Sequence, residues 1–154
     1  MLLLGQATVI TQPAFAVLRQ HQDAPGIMRY HSQESLRDKA GNAWQVVLFK
    51  KISPGQPTRL NLRLVGFPGL VEVKHPHSLE IVTADGRLLT ATDVFTRDAP
   101  APNVAQYDVT DVLSQLPLNE SLTLSIPRPG NQNLTLEIPP FLVNEWQLLV
   151  TEVS

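Results

Sequence analysis

Arg59-Leu60-Asn61-Leu62-Arg63-Leu64 sets a leucine at every second position with a polar residue between. A period of two is that of a β-strand, so this stretch predicts a strand with one face on a core and the other in water. The same alternation recurs where Leu122, Leu124 and Ile126 are interleaved with Ser121, Thr123 and Ser125, and where Leu134, Leu136 and Ile138 flank Thr135 and Glu137. Trp44-Gln45-Val46-Val47-Leu48-Phe49 is apolar at both parities, which predicts a central strand covered on both sides.

Turn chemistry separates these runs. Asp85-Gly86, between Glu80-Ile81-Val82 and Leu88-Leu89, is a two-residue hairpin signal. Lys39-Ala40-Gly41-Asn42 predicts a second hairpin, Phe67-Pro68-Gly69 a turn, and Arg128-Pro129-Gly130-Asn131 a longer loop. Two segments depart from the pattern. Thr110 to Leu116 opens with a capping residue and stops at Pro117, which predicts one or two helical turns. After Pro139-Pro140, the residues Leu142, Trp146, Leu149 and Val150 suit one helix face, while Gln147 to Val153 contains Val and Thr, so a short helix running into a last strand is expected. About eight short strands, spaced roughly 8–12 residues apart, predict an all-β, antiparallel β-sandwich with one or two short helices, with a closed β-barrel as the alternative. Residues 17–154 read as one domain without internal repeats.

The first sixteen residues read differently. Apolar residues run from Leu2-Leu3-Leu4 to Ile10, and Gln12-Pro13-Ala14-Phe15-Ala16 ends in the A-x-A form that a signal peptidase accepts. Residues 1–16 are therefore expected to be a signal peptide or its remnant, although no Lys or Arg precedes the leucines; the competing reading is a first apolar strand. The apolar stretch is shorter than the about 20 residues of a membrane span, and no later segment is long and apolar enough, so no transmembrane segment is expected in the mature chain. The sequence has no Cys, which excludes an acylated lipoprotein and any disulfide.

Charge is modest overall, a net −2, but uneven: residues 17–75 hold nine Lys or Arg against four Asp or Glu, and residues 76–154 hold three against ten. The two halves either form opposed faces or neutralise each other where they pack. Nucleic acid is not an expected partner, because the basic residues are not interleaved with aromatics. Arg59 and Arg63 share the polar side of one strand, with Lys50-Lys51 just upstream, and these four are the candidate partner-binding residues for an unidentified protein or anionic surface. A solvated strand face is the simpler account of them.

His75-Pro76-His77 places two imidazoles at i and i+2, as paired zinc ligands often sit, and His75 and His77 are the candidate metal ligands; exposed loop histidines are the simpler account. His21 and His31 could complete a set only if the fold delivers them. No G-x-S-x-G elbow, Walker loop, H-E-x-x-H or EF-hand is present, so no catalytic residue and no cofactor is assigned. Asp85, Asp93, Asp98 and Asp111 fall at turns or caps where Asp serves the backbone, whereas Asp108 lies in a strand and reads as a hydrogen-bonded structural aspartate. Trp44 and Trp146 are expected in the core.

Trp44 to Lys50, Leu62 to Gly69, Asn103 to Asp108 and Glu145-Trp146-Gln147, in that order, resemble a family of small exported cyanobacterial proteins catalogued only as a domain of unknown function. The resemblance spans nearly all of residues 17–154. It implies a periplasmic or thylakoid-lumen location rather than a chemistry. Tyr107-Asp108-Val109-Thr110-Asp111-Val112-Leu113 followed by Leu122-Thr123-Leu124 is similar to a strand–turn–strand step of galactose-binding-like jelly rolls. The function expected from these features is a non-catalytic binding or accessory module, with a small-ligand, sugar or metal-binding protein as the alternative.

Overall fold

The alternation at Arg59–Leu64 becomes a strand whose leucines are buried and whose polar residues stay half-buried or exposed. The computed structural model describes residues 17–24, 27–52, 54–95, 99–130 and 132–152. In chain order its elements are β1 (Val17–Ala24), β2 (Ile27–Arg37), β3 (Ala43–Ile52), β4 (Arg59–Gly66), β5 (Leu79–Thr83), β6 (Leu88–Asp93), β7 (Val104–Asp108), α1 (Thr110–Leu113), β8 (Leu122–Ile126), β9 (Leu134–Ile138) and α2 (Pro140–Glu152). The expected leader, residues 1–16, lies outside the described residues, as do Asp98, Asn131 and Val153.

All strand pairings are antiparallel, in the order β1-β2-β3-β4-β7-β6-β5-β8-β9. Among the described residues the fold is all-β with two helices, as the periodicity predicts. The sheet is continuous and does not close into a barrel. Its two halves meet at β6 and β7, which share only the pairs Thr92↔Asp108 and Asp93↔Tyr107. Elsewhere the halves are held together mainly by side chains, with a few single backbone bonds. Leu60, Leu62 and Leu64 of β4, Leu79 and Ile81 of β5, Leu122, Leu124 and Ile126 of β8, and Leu134, Leu136 and Ile138 of β9 belong to one buried cluster. At the far side the β2–β3 turn touches β9, where the Lys39 amide donates to the Thr135 carbonyl at 2.9 Å.

Helix α2 closes the core over β2 and β3. Leu142, Val143, Trp146 and Leu149 recur at spacings of one, three and three and are all buried. The helix continues to Glu152, so no last strand forms among the described residues. Four-residue α1 has no side-chain cap, and Thr110 serves β4 instead, its hydroxyl accepting from the Leu60 amide at 3.0 Å. In β3, Trp44, Val46 and Leu48 are buried while Gln45 is exposed and Val47 and Phe49 are half-buried, so this strand is fully covered on one face only.

Asp38 ties the β2–β3 hairpin to that core. Its Oδ1 accepts from the amides of Ala40 and Asn42, each at 2.9 Å, and its Oδ2 accepts from the Trp44 indole Nε1 at 2.9 Å. Trp44 in turn lies on Gly66, where an added Cβ would sit 2.1 Å from Val71 Cγ2 and 3.1 Å from the indole ring, so only glycine fits. Burial pushes the Asp38 carboxyl up, but the bonds from Trp44, Asn42 and Ala40 together outweigh it and hold the group below its ordinary range. A depressed carboxylate stabilises the fold fully above its unfolded value and loses that contribution as pH falls through the lower, folded one. Asp38→Ala, which strands the buried indole N–H, is expected to lower the unfolding free energy by about 2–3 kcal/mol near neutrality. In urea titrations at several pH values, the gap from wild type should narrow only in acid below the ordinary value of 3.8.

Candidate functional site

Register decides which basic positions stand opposite one another. His21 lies opposite Arg29, Arg29 opposite Lys51, and Lys51 opposite Arg59. These residues, far apart in sequence, form one row across the four neighbouring strands β1 to β4. The next row toward the sheet interior runs Arg19, His31, Phe49, Asn61 and Asp108. Arg59 is ion-paired with Asp108, whose Oδ1 also accepts from the Thr110 amide at 3.0 Å and the Thr110 hydroxyl at 2.6 Å. Burial pushes Asp108 up, yet the Thr110 bonds and the Arg59 guanidinium hold it below the usual carboxylate range. Asp108 is thus the hydrogen-bonded structural aspartate that its strand position suggests, and its pair with Arg59 neutralises charge between the basic and acidic parts of the chain.

The four candidate partner-binding residues do not form one patch. Arg59, Arg63 and Lys51 share a strand face by parity. Arg63 donates from Nε to Gln106 Oε1 at 2.9 Å, and its guanidinium lies 5.8 Å from the Phe95 ring centroid. Lys50 belongs to the opposite face. It is 3% exposed, and its Nζ donates to the Leu149 and Val150 carbonyls at 3.0 and 2.9 Å. Those carbonyls lie near the C-terminus of α2, where the helix leaves acceptors unpaired and favours a cation. Lys50 therefore fastens the helix to the sheet and is not part of the surface. The sequence carries this signal: counting by two from Trp44 brings Lys50 to the inner face.

His75 and His77 also part company. His75 is half-buried, with Nδ1 2.6 Å from Asp93 Oδ2 and Nε2 3.2 Å from the Val104 carbonyl. Asp93 is held further by the His77 amide at 3.2 Å and the Phe95 amide at 2.8 Å. His77 is exposed, its Nδ1 2.9 Å from the Ser78 carbonyl. Among the described residues no three His, Cys, Asp or Glu side chains stand together as metal ligands. The His75–Asp93 pair has the orientation of a catalytic dyad, but its second ring nitrogen faces a backbone carbonyl rather than a nucleophile. Beneath it the Tyr107 hydroxyl is fully buried without a hydrogen-bond partner among the described residues, and burial, reinforced by Asp93, pushes its pKa up.

Three of the concavities on the described surface bear on these residues and on α2. One of about 280 Å³ is lined by Pro76, His77, Ser78, Thr92 and Asp93. A second, about 550 Å³, lies among three loops and includes Leu70, Val71, Pro102, Arg128 and Pro129. The third, about 690 Å³, runs along α2 past Leu118, Phe141, Glu145 and Leu148. No helix of the described residues is long and apolar enough to cross a membrane.

Residues 16–149 match a family described as protein of unknown function, DUF3122. The chain belongs to the DUF3122 family. A family of unknown function is what the blocks around Trp44, Gly66, Tyr107 and Trp146 resemble, and membership in DUF3122 carries no chemistry with it. Neither a curated protein nor a solved structure matches the chain.

Glu145, in the groove along α2, has its pKa raised by burial and then by the nearby Glu34 carboxylate. A raised carboxyl favours the fold while protonated, and that advantage is lost as pH rises through the folded value. Glu145→Gln is therefore expected to raise the melting temperature at neutral pH by about 2 °C. Differential scanning calorimetry should show the gain disappear in acid below the ordinary value of 4.5.

Proposed function

We propose that this DUF3122 protein is an exported, non-catalytic binding module that docks on a partner protein with an acidic face, in a periplasm or thylakoid lumen. The observation that carries the reading is the row of His21, Arg29, Lys51 and Arg59 across β1 to β4. Neighbouring strands in a sheet lie about 4.8 Å apart, so the row is a line of basic positions spaced by the strand pairings. Such a line favours an acidic partner by steering encounter and fixing orientation more than by raw affinity. The non-catalytic reading is supported by His75, whose ring nitrogens both face oxygen acceptors inside the fold. Export is supported by the A-x-A ending at Ala16, beside which the family match begins.

Arg59 is already paired with Asp108, so the decisive substitutions fall on the middle of the row. Wild-type protein cross-linked in extracts of its source cells should retain a partner that is released at high salt and is lost in the Arg29→Glu, Lys51→Glu double variant. Identical recovery by the double variant would remove the row from the account. The location has a separate check: the mature protein isolated from cells should begin at Val17 by intact mass, and a cytosolic protein that retains residues 1–16 would end the export reading.

A further inference from the structure

At the end of the sheet away from the basic row, β4 runs into a turn that exposes two large apolar side chains. Phe67 is 60% exposed and Leu70 is 66% exposed. Between them stand Pro68 and Gly69. Gly69 has φ +84°, and the Leu70 amide donates to the Phe67 carbonyl at 3.1 Å. Proline followed by a positive-φ glycine is the chemistry of a type II turn, whose corners are fixed before any partner arrives. The turn is also anchored at its base. The Gly66 amide donates to the Asn103 carbonyl at 2.9 Å, the Asn103 side chain donates back to the Gly66 carbonyl at 2.8 Å, and Val71 and Val73 return to the core at 3% and 5% exposure. Phe67 and Leu70 are thus held outward by a rigid support, although burying them elsewhere would stabilise the chain.

The surroundings of this tip are apolar and short of backbone donors. Pro68, Pro102 and Pro129 are exposed and, with Leu70 and Ala101, line the concavity behind the tip. A proline has no N–H, so removing these residues from water strands fewer donors than it would at other residues. Among the described residues, charge at this end favours an anion. The exposed Lys39, the half-buried Lys74 and the half-buried Arg128 stand against the exposed Glu72, while Asp38 is turned inward to Trp44. The Arg128 Nε donates to the Gln132 carbonyl at 2.7 Å, which holds that guanidinium in the loop. The groove along α2 also exposes leucines, but Glu145 lies within it and nothing there selects an occupant.

We infer that the Phe67–Leu70 turn is a membrane-docking tip, which inserts into the interface of an anionic phospholipid bilayer while Lys39, Lys74 and Arg128 face the headgroups. Apolar side chains entering the acyl boundary and basic residues at headgroup level together make a peripheral anchor, with neither alone sufficient. This anchor is independent of the partner row and lies at the opposite end of β4, so a protein can be held at a bilayer with the row still accessible.

The full chain is tested by co-sedimentation with vesicles of equal parts phosphatidylglycerol and phosphatidylcholine, and with phosphatidylcholine alone. Binding to the mixed vesicles is expected, with the Phe67→Ser, Leu70→Ser variant weaker by about tenfold or more. Lys74→Gln with Arg128→Gln should weaken binding and flatten its salt dependence. In the Phe67→Trp chain, emission should shift to the blue on vesicle addition and be quenched by brominated lipid, since Trp44 and Trp146 are 1% and 2% exposed and respond little. Thermal melts confirm that the variants fold. Absence of vesicle binding, retention of full binding by the Phe67→Ser, Leu70→Ser variant, or unchanged emission of a bound Phe67→Trp chain would each overturn the inference, as would capture of the tip by a protein in place of the vesicles.

Discussion

Every strand from β3 to β9 sends the same parity of residues into one cluster, and this one-sided burial is the constraint from which the rest follows. A sheet that is dry on one face must be covered, and the seven strands β3 to β9, which share a core, have to curve toward each other. The β2–β3 turn reaches β9, and α2 fills the space over β2 and β3. Lys50 makes this arrangement specific. A cation at an inner position is tolerated because the end of α2 supplies two carbonyls, so the helix and the sheet satisfy one another's polar groups.

The same constraint explains the other buried polar groups. Asp38 and Asp93 are each nearly inaccessible, and each accepts from more than one donor. Their partners come from elements that must be placed relative to one another: a hairpin and an indole for Asp38, two loops and a histidine for Asp93. Carboxylates in this chain act as connectors between backbone segments.

Much of this was legible from residues alone, for a reason that also sets the limit. Alternation at Leu60–Leu64, Leu122–Ile126 and Leu134–Ile138 survives into the structure because those strands meet the core directly and have a wet outer face. Ile27–Arg37 gives no such pattern, although it forms an eleven-residue strand, because Ser32 and Glu34 occupy inner-parity positions beneath α2. The end of α2 was ambiguous because Val and Thr suit either conformation, and the tertiary contact with Lys50 favours the helix. Candidate sites were legible only within a segment. Arg59 and Arg63 show their shared face in the sequence, but the alignment of Arg59 with Lys51, Arg29 and His21 depends on pairings between strands, which no local pattern encodes.

The junction of β6 and β7 gives the molecule an unusual division of labour. With two residue pairs bridging the halves there, the hydrogen-bond ladder is nearly interrupted at mid-sheet. Cohesion across that line is handed from the backbone, which is indifferent to side-chain identity, to the interlocking of leucines and isoleucines, which is not. Mutational tolerance should therefore be distributed unevenly: lengthening a loop perturbs one half, whereas reshaping a residue such as Leu62 or Leu124 is felt by both.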